Sequence, residues 1–236
     1  MNNCTGCNDQ LTGKYCVNCG RPAITKRIDA HYILHEIEHV LHFEKGILFT
    51  IKELLLRPGQ SIREFLSHER AKLVKPVLFI VICSLIYTLT THFFHMEDGY
   101  ISFKGAEVSK TSLIFSWIQN HYGYANIIMG VFISLWLKLF FKKSGYNFFE
   151  ILILLCFSIG MGMLILSLFV LLEGITKLGL MQIGGVLMII YYCWAFGQFF
   201  NRQKLSSYLI AFCAYVLGVV TFSLAILFLG FLAELF

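Results

Sequence analysis

The sequence predicts an all-α membrane protein with about five transmembrane helices, preceded by a small zinc ribbon and amphipathic interfacial helices. Three observations support this fold class. Hydrophobic residues make up 57% of the 236 residues and charged residues only 14%, which is more apolar than a water-soluble domain. After Pro76 the apolar residues gather into runs of roughly 20, the length that crosses a bilayer as a helix. Near the amino terminus, cysteines form two closely spaced pairs.

The apolar runs predict transmembrane helices rather than barrel strands. None of them alternates polar and apolar residues, and a helix satisfies its own backbone hydrogen bonds in lipid. The predicted spans are Pro76 to Phe94, Tyr122 to Phe141, Asn147 to Leu172, Leu178 to Phe200 and Ser207 to Ala233. Only Glu173 to Lys177 separates the third span from the fourth, which predicts a tight helical hairpin. The expected domains are a zinc ribbon (1–24), juxtamembrane helices (25–75) and a transmembrane domain (76–236).

The distribution of Lys and Arg predicts the orientation in the membrane. Sixteen of the 19 lie in the head, at the junction of the second and third spans, and in the loop between the fourth and fifth. The opposite side has only Lys104, Lys110 and Lys177. Because cytosolic loops carry the excess of basic residues, we expect a cytosolic amino terminus and an extracytosolic carboxyl terminus. Anionic lipid headgroups explain the formal charge of +5, so the expected partner is the lipid bilayer and not nucleic acid.

The amino-terminal cysteines have the spacing of a zinc ribbon. They follow the pattern C-x2-C-x8-C-x2-C, with Cys4, Cys7, Cys16 and Cys19 as the four thiols. Four thiolates favour tetrahedral Zn²⁺. Disulfides or a redox CxxC are the alternatives, but a reducing cytosol and the absence of a βαβ pattern disfavour them. The sequence therefore predicts one structural zinc ion per chain, and metal binding folds a unit too short to bury a core.

A row of histidines follows the ribbon. Residues 29 to 44 have helical periodicity, and four histidines share one arc of that helix: His31, His35, His39 and His42. Among them His35, Glu36 and His39 match H-E-x-x-H, in which two imidazoles bind zinc and the glutamate activates water. A zincin also needs a third ligand, and the other two histidines lie on the same rigid helix. We therefore favour the hydrated face of an amphipathic helix. A catalytic site, a metal-trapping surface and a pH-sensitive surface are the alternatives.

The segment before the first span predicts two short helices. Ile47 to Leu56 is apolar but too short to cross the bilayer, which indicates an interfacial or re-entrant piece. Arg57-Pro58-Gly59 predicts a turn. Ser61 and Glu64 have the spacing of a capping box. This box predicts a helix from Ile62 to about Lys75 that anchors the chain to headgroups.

The predicted spans carry few polar groups. Glu150 lies within one turn of the cytosolic interface, and we expect it to pair with Lys142 or Lys143, with a functional carboxylate as the alternative. Ser158 and Gly162 have the small-x3-small spacing of close helix packing. A transporter would line its path with charges or broken helices. Ordinary packing of a helix bundle is therefore favoured.

Several short motifs support a family resemblance. They are Tyr15-Cys16-x2-Cys19-Gly20, Phe43-Glu44-Lys45-Gly46-Ile47, Arg57-Pro58-Gly59, Ile62-Arg63-Glu64-Phe65 and Lys75-Pro76. In this order they resemble a family of bacterial multi-spanning membrane proteins, the domain of unknown function 3667. The likeness is close over residues 1 to about 95. It implies a multi-pass protein of the bacterial cytoplasmic (inner) membrane with a zinc site, and it implies no biochemical activity.

The function that these features predict is that of a non-enzymatic membrane scaffold or adaptor whose cytosolic zinc ribbon docks a protein partner. Two alternatives stay open. One is a membrane-bound zinc hydrolase that uses His35, Glu36 and His39, and the other is a small-solute permease. A second, chelator-sensitive metal would favour the hydrolase, and solute flux in proteoliposomes would favour the permease.

Overall fold

A computed structural model describes residues 7, 13, 16–18, 46–67, 72–94 and 122–235. The chain divides into two compact units, Met1–Glu44 and Lys45–Phe236. The described residues of the second unit are helical apart from short turns and contain no strand. The predicted all-helical class is therefore confirmed for this part of the chain. The histidine row with its H-E-x-x-H motif lies outside the described residues, as do Cys4 and Cys19.

The described part of the second unit contains seven α-helices. They are α1 (Ile47–Leu56), α2 (Pro58–Ser67), α3 (Pro76–Phe93), α4 (Tyr122–Phe140), α5 (Phe148–Thr176), α6 (Met181–Asn201) and α7 (Leu205–Leu235). Helices α3, α5, α6 and α7 are long and apolar enough to cross a membrane. Helix α4 occupies the predicted second span and has 19 residues, among which Ala125–Phe140 form an apolar stretch. Each predicted span thus coincides with a helix.

The start of α5 is fixed by a capping box. The side chain of Asn147 accepts a hydrogen bond from the backbone N–H of Glu150 at 2.9 Å, and Oε2 of Glu150 accepts one from the N–H of Asn147 at 2.7 Å. These two bonds satisfy N–H groups that a helix start leaves unpaired. The expected ion pair of Glu150 with Lys142 or Lys143 is not among the ion pairs of the described residues. The carboxylate caps the helix instead.

The turn between α5 and α6 lies later in the chain than the sequence predicted. Helix α5 continues to Thr176, and Lys177 then adopts a left-handed conformation with φ of 58°. Its N–H donates to the carbonyl of Glu173 at 2.7 Å. The carboxylate of Glu173 also accepts from the N–H of Met181 at 2.8 Å. Glu173 was expected in the turn between the helices. It instead lies in the last turn of α5, and its carboxylate joins α5 to the start of α6.

Close contacts between small and aromatic residues set the directions of α3 and α5. Phe79, near the start of α3, packs against Gly160 of α5, and Phe94, just past the end of α3, packs against Gly174. From the first contact to the second, the position moves toward the carboxyl end of both α3 and α5 by a similar number of residues. The two helices therefore run in the same direction. The chain must return between them, and in the described part of the chain the helix that lies between them in sequence is α4.

Helix α6 packs between α5 and α7. The ring of Tyr192 covers Gly162 on α5, and its centroid lies 5.6 Å from that of Tyr215 on α7. Gly218 of α7 in turn packs against Ile133 of α4. Gly162 therefore serves packing within one chain, as the small-x3-small spacing predicted.

The interior of the bundle is filled by large side chains. The ring of Phe157 lies 5.4 Å from that of Phe65 on α2 and 5.7 Å from that of Phe79 on α3. The fully buried side chains include Phe79, Phe157, Phe196, Phe199, Leu154 and Met161. Aromatic and aliphatic groups thus join the short helices and the long ones in a single core.

Candidate functional site at one end of the helix bundle

One face of the short helix α1 packs against the bundle. Thr50 and Leu54 are completely buried. The hydroxyl of Tyr191 on α6 donates to the carbonyl of Leu54 at 3.1 Å, and the hydroxyl of Thr50 accepts from the N–H of Val74 at 3.0 Å. The predicted interfacial or re-entrant piece is therefore packed on protein, where buried backbone groups find partners.

A buried carboxylate joins α1 to α2. Oε2 of Glu53 accepts from Nε of Arg57 at 2.9 Å and from the hydroxyl of Ser61 at 3.0 Å. Glu53 is only 7% exposed, and burying a carboxyl group without such hydrogen-bond partners is costly. The prediction that Ser61 caps a helix starting at Ile62 is wrong. Helix α2 starts at Pro58, because proline is well suited to the first turn of a helix.

The carboxyl end of α2 also differs from the prediction. We expected this helix to continue to about Lys75. The structure ends it at Ser67, and the described residues 72–75 are not helical. Lys75 precedes Pro76, which disfavours the helical conformation at the residue before it. The first span therefore starts as a new helix.

Helices α2 and α6 cap each other. The side-chain oxygen of Gln198 accepts from the N–H of Gly59 at 2.8 Å, in the first turn of α2. In return Nη1 of Arg63 donates to the carbonyls of Gln198 and Phe199 in the last turn of α6, the latter at 2.8 Å. Helix ends leave these N–H and C=O groups without intrahelical partners. The side chains of Gln198 and Arg63 thus provide hydrogen-bond partners for one N–H at the start of α2 and two C=O groups at the end of α6.

Only glycine fits at position 59. A Cβ atom there would lie 2.5 Å from the carbonyl carbon of Gln198 and 2.8 Å from the Cα of Phe199. These are backbone atoms and cannot move like the tip of a side chain. The sequence predicted a turn at Arg57-Pro58-Gly59, but the glycine is needed for close approach of two helices.

Four chain segments meet at this end of the bundle. The rings of Phe141 and Phe200 stack with their centroids 3.9 Å apart, and the ring of Tyr146 lies 4.5 Å from that of Phe199. The end of α4, the start of α5, the end of α6 and helix α2 are therefore neighbours. These segments also contain many of the basic residues that were predicted to be cytosolic: Arg57, Arg63, Lys142, Lys143 and Arg202.

An open cleft of about 460 Å³ lies at this end, between α2 and the first turn of α5. Polar and charged side chains line most of it: Gln60, Arg63, Glu64, Ser67, Tyr146 and Glu150. Leu66 adds an apolar patch. We call this space the α2–α5 cleft.

Ionised groups face the α2–α5 cleft. The carboxylate of Glu64 accepts hydrogen bonds from Lys72 Nζ and Gln60 Nε2, both at 2.8 Å. The bond from Lys72 is the main reason that the pKa of Glu64 lies below its ordinary value. Partial burial raises the pKa of Tyr146, while Arg63 lowers it and Glu150 raises it. The cleft therefore presents a carboxylate, a guanidinium and a neutral phenol together.

A known protein family matches a segment of the chain that contributes to this end of the bundle. Residues 44–88 match a family model described as protein of unknown function (DUF3667). Over this segment the chain is similar to the DUF3667 family. The matched segment contains α1, α2 and most of α3, including Glu53, Gly59 and Arg63. No curated protein and no solved structure matches the chain.

The structure describes two of the predicted zinc ligands, Cys7 and Cys16. The Sγ atoms of Cys7 and Cys16 lie 3.4 Å apart. A disulfide would require about 2.0 Å, whereas two ligands of a tetrahedral zinc with bonds of about 2.3 Å are separated by ~3.8 Å. The two thiols come from different CxxC pairs, and their separation lies between these two values and within hydrogen-bonding distance of a thiol pair. The Zn²⁺ site stays a prediction. Among the described residues, no group of three or more potential metal ligands is present.

Sequence reasoning missed the contact of α2 with the end of α6. Gly59 and Arg63 were assigned to a turn and to a helix that anchors the chain to headgroups, and Gln198 lies within the predicted span Leu178 to Phe200. The available signal was Gln198 itself, because a polar side chain within an apolar span needs a hydrogen-bond partner. The partner could not be identified, since 139 positions separate Gly59 from Gln198.

Proposed function

We propose that this protein is a non-enzymatic scaffold or adaptor of the bacterial cytoplasmic membrane whose cytosolic zinc ribbon docks a protein partner. The observation that carries the proposal is the capping of α2 and α6 by each other through Gly59, Arg63 and Gln198. The segment that follows the head in sequence is thereby fixed to the helix bundle. An adaptor needs a rigid membrane anchor, and this contact contributes to its rigidity.

The arrangement of helices supports a five-span topology. Helices α3 and α5 run in the same direction, so a returning helix between them is needed, and α4 has the position and apolar character for it. With α4 counted, the protein crosses the membrane five times and its termini lie on opposite sides. The end that gathers Lys142, Lys143 and Arg202 is then cytosolic by the positive-inside rule.

The zinc ribbon is the proposed docking module. Cys4, Cys7, Cys16 and Cys19 would hold one Zn²⁺, and their C-x2-C-x8-C-x2-C spacing supports this ligand set. Four protein ligands leave no open coordination position, so the ion is structural rather than catalytic. Its role is to fold a short segment into a rigid surface that a partner can recognise.

The packing of the bundle favours an adaptor over a permease. The centre of the described helices is occupied by buried rings and aliphatic chains, among them Phe157, Phe196 and Phe199. A solute path needs polar groups or a water-filled cavity at the depth of the membrane. The filled interior instead suits a rigid anchor.

Affinity capture from native membranes tests the proposal. After cross-linking, the tagged full chain is expected to recover a specific protein that a variant lacking residues 1–24 does not recover. Equal membrane insertion of both proteins is the required control. Recovery of the same protein in the same yield without the ribbon would contradict the adaptor function. A chelator-sensitive hydrolytic activity that survives Cys16→Ser would favour the zinc hydrolase over the adaptor.

A further inference from the structure

The geometry points to a lipid-binding site in the α2–α5 cleft, which takes the zwitterionic headgroup of phosphatidylethanolamine through Arg63 for its phosphate and Glu150 for its ammonium group. The cleft holds about 460 Å³, within the range of small-molecule sites. It lies at the end of the bundle where the basic segments meet. This inference does not depend on the zinc ribbon or on its partner.

Arg63 supplies the anion-binding part of the site. Its Nη1 is held by the carbonyls of Gln198 and Phe199, which orients the planar guanidinium. Its Nε and Nη2 groups have no partner among the described residues. A fixed guanidinium with free N–H groups matches the oxygens of a phosphate diester.

Glu150 and Tyr146 supply the cation-binding part. One oxygen of Glu150 accepts the N–H of Asn147, and its other oxygen has no partner among the described residues. The neutral hydroxyl of Tyr146 lines the same cleft and is influenced by both Arg63 and Glu150. A primary ammonium group has three N–H donors and can use both acceptors.

Charge balance in the cleft selects a zwitterion. Among the residues that line the cleft, Arg63 is cationic, and Glu64 and Glu150 are anionic. Lys72, which does not line the cleft, pairs with Glu64. A simple anion would meet two carboxylates, and a simple cation would meet the guanidinium, so neither is fully complementary. A ligand with a phosphate and an ammonium group a few bonds apart matches both signs.

An apolar margin next to the cleft suits the remainder of a lipid. Phe149 adjoins Glu150 on the first turn of α5 and is 73% exposed, and Leu66 lines the cleft itself. Aromatic rings commonly lie at the depth of the headgroups. These groups can contact the glycerol and the first methylenes of the acyl chains, which favours a membrane lipid over a soluble headgroup.

Native mass spectrometry of the full chain tests the site. The protein is extracted from vesicles of phosphatidylethanolamine and phosphatidylglycerol, or of phosphatidylcholine and phosphatidylglycerol, and retained lipids are counted. One retained phosphatidylethanolamine per chain is expected. Phosphatidylcholine should be retained about tenfold less, because its quaternary ammonium cannot donate hydrogen bonds to Glu150.

Two matched variants complete the test. Glu150→Gln keeps an acceptor for the capping box but removes the charge, and it should reduce retention of phosphatidylethanolamine about tenfold. Glu173→Gln is the control, since Glu173 also accepts a backbone N–H but lies at the other end of α5; it should retain the lipid. Equal retention of the two zwitterionic lipids, preferred retention of phosphatidylglycerol, or an unchanged Glu150→Gln variant would overturn the proposal. Binding of soluble glycerophosphoethanolamine as tight as that of the lipid would overturn its assignment to the membrane.

Discussion

Replacement of Gly59 by alanine should detach α2 from α6. The added Cβ would lie 2.5 Å from the carbonyl carbon of Gln198 and 2.8 Å from the Cα of Phe199, so the two helix backbones must separate. Overpacking of this kind costs ~1–3 kcal/mol. The separation also breaks the hydrogen bond from Gly59 to the buried Gln198 side chain, which adds ~1–3 kcal/mol for an unpaired polar group. Alanine regains ~1 kcal/mol in helix propensity.

The net destabilisation by Gly59→Ala is therefore about 3 kcal/mol, which corresponds to a fall in Tm of about 6–12 °C for a protein of this size. Thermal unfolding in detergent measures the fall, and faster trypsin cleavage after Arg63 reports local detachment of α2. Gly185→Ala is the matched control, because nothing lies within 4 Å of its added Cβ. Gly185→Ala should keep or raise the Tm, and a Tm for Gly59→Ala equal to or above that of the wild type would refute the close-approach argument.

Three further predictions concern other parts of the chain. Because Lys72 and Gln60 lower the pKa of Glu64 from its ordinary value of 4.5, the stabilisation from this carboxylate is present above pH 4.5 and is lost as pH falls through the lowered pKa. The difference in Tm between the wild type and Glu64→Gln should therefore shrink below about pH 4.5, and a difference that grows on acidification would contradict this pairing. Elemental analysis should find one zinc per chain in the wild type and in Cys213→Ser but much less in Cys16→Ser, whereas full zinc in Cys16→Ser would reject the ligand set. Cysteines introduced at residues 100 to 115 should react with impermeant reagents from outside the cell, and labelling only from the cytosol would overturn the proposed orientation.

Hydropathy predicted the long helices well because each run carries enough apolar residues to specify a helix by itself. The positions of Pro76 and Asn147 even placed helix starts within about one residue, since proline and a capping asparagine are local signals. The end of α5 was predicted less well. Glu173 reads as a break in an apolar run, yet its carboxylate serves the N–H of Met181 and the helix continues past it.

The contacts that form the candidate site depend on long-range packing and could not be derived from spacing. Glu53 looked like a charge within an interfacial segment, but it is buried and bonded to Ser61 and Arg57. Glu150 was expected to pair with a nearby lysine, but it caps α5 and lines the α2–α5 cleft with Arg63 from far along the chain. Local sequence patterns do not indicate which helix ends meet in space.

The most direct test of the adaptor function compares partner capture by two point variants of the full chain. Cys16→Ser removes one predicted zinc ligand, and Glu36→Gln removes the group that a hydrolase would need to activate water. With equal expression and membrane insertion, the account predicts that Glu36→Gln recovers the same cross-linked partner as the wild type and that Cys16→Ser does not. Loss of the partner in Glu36→Gln, or its full recovery by Cys16→Ser, would contradict the account.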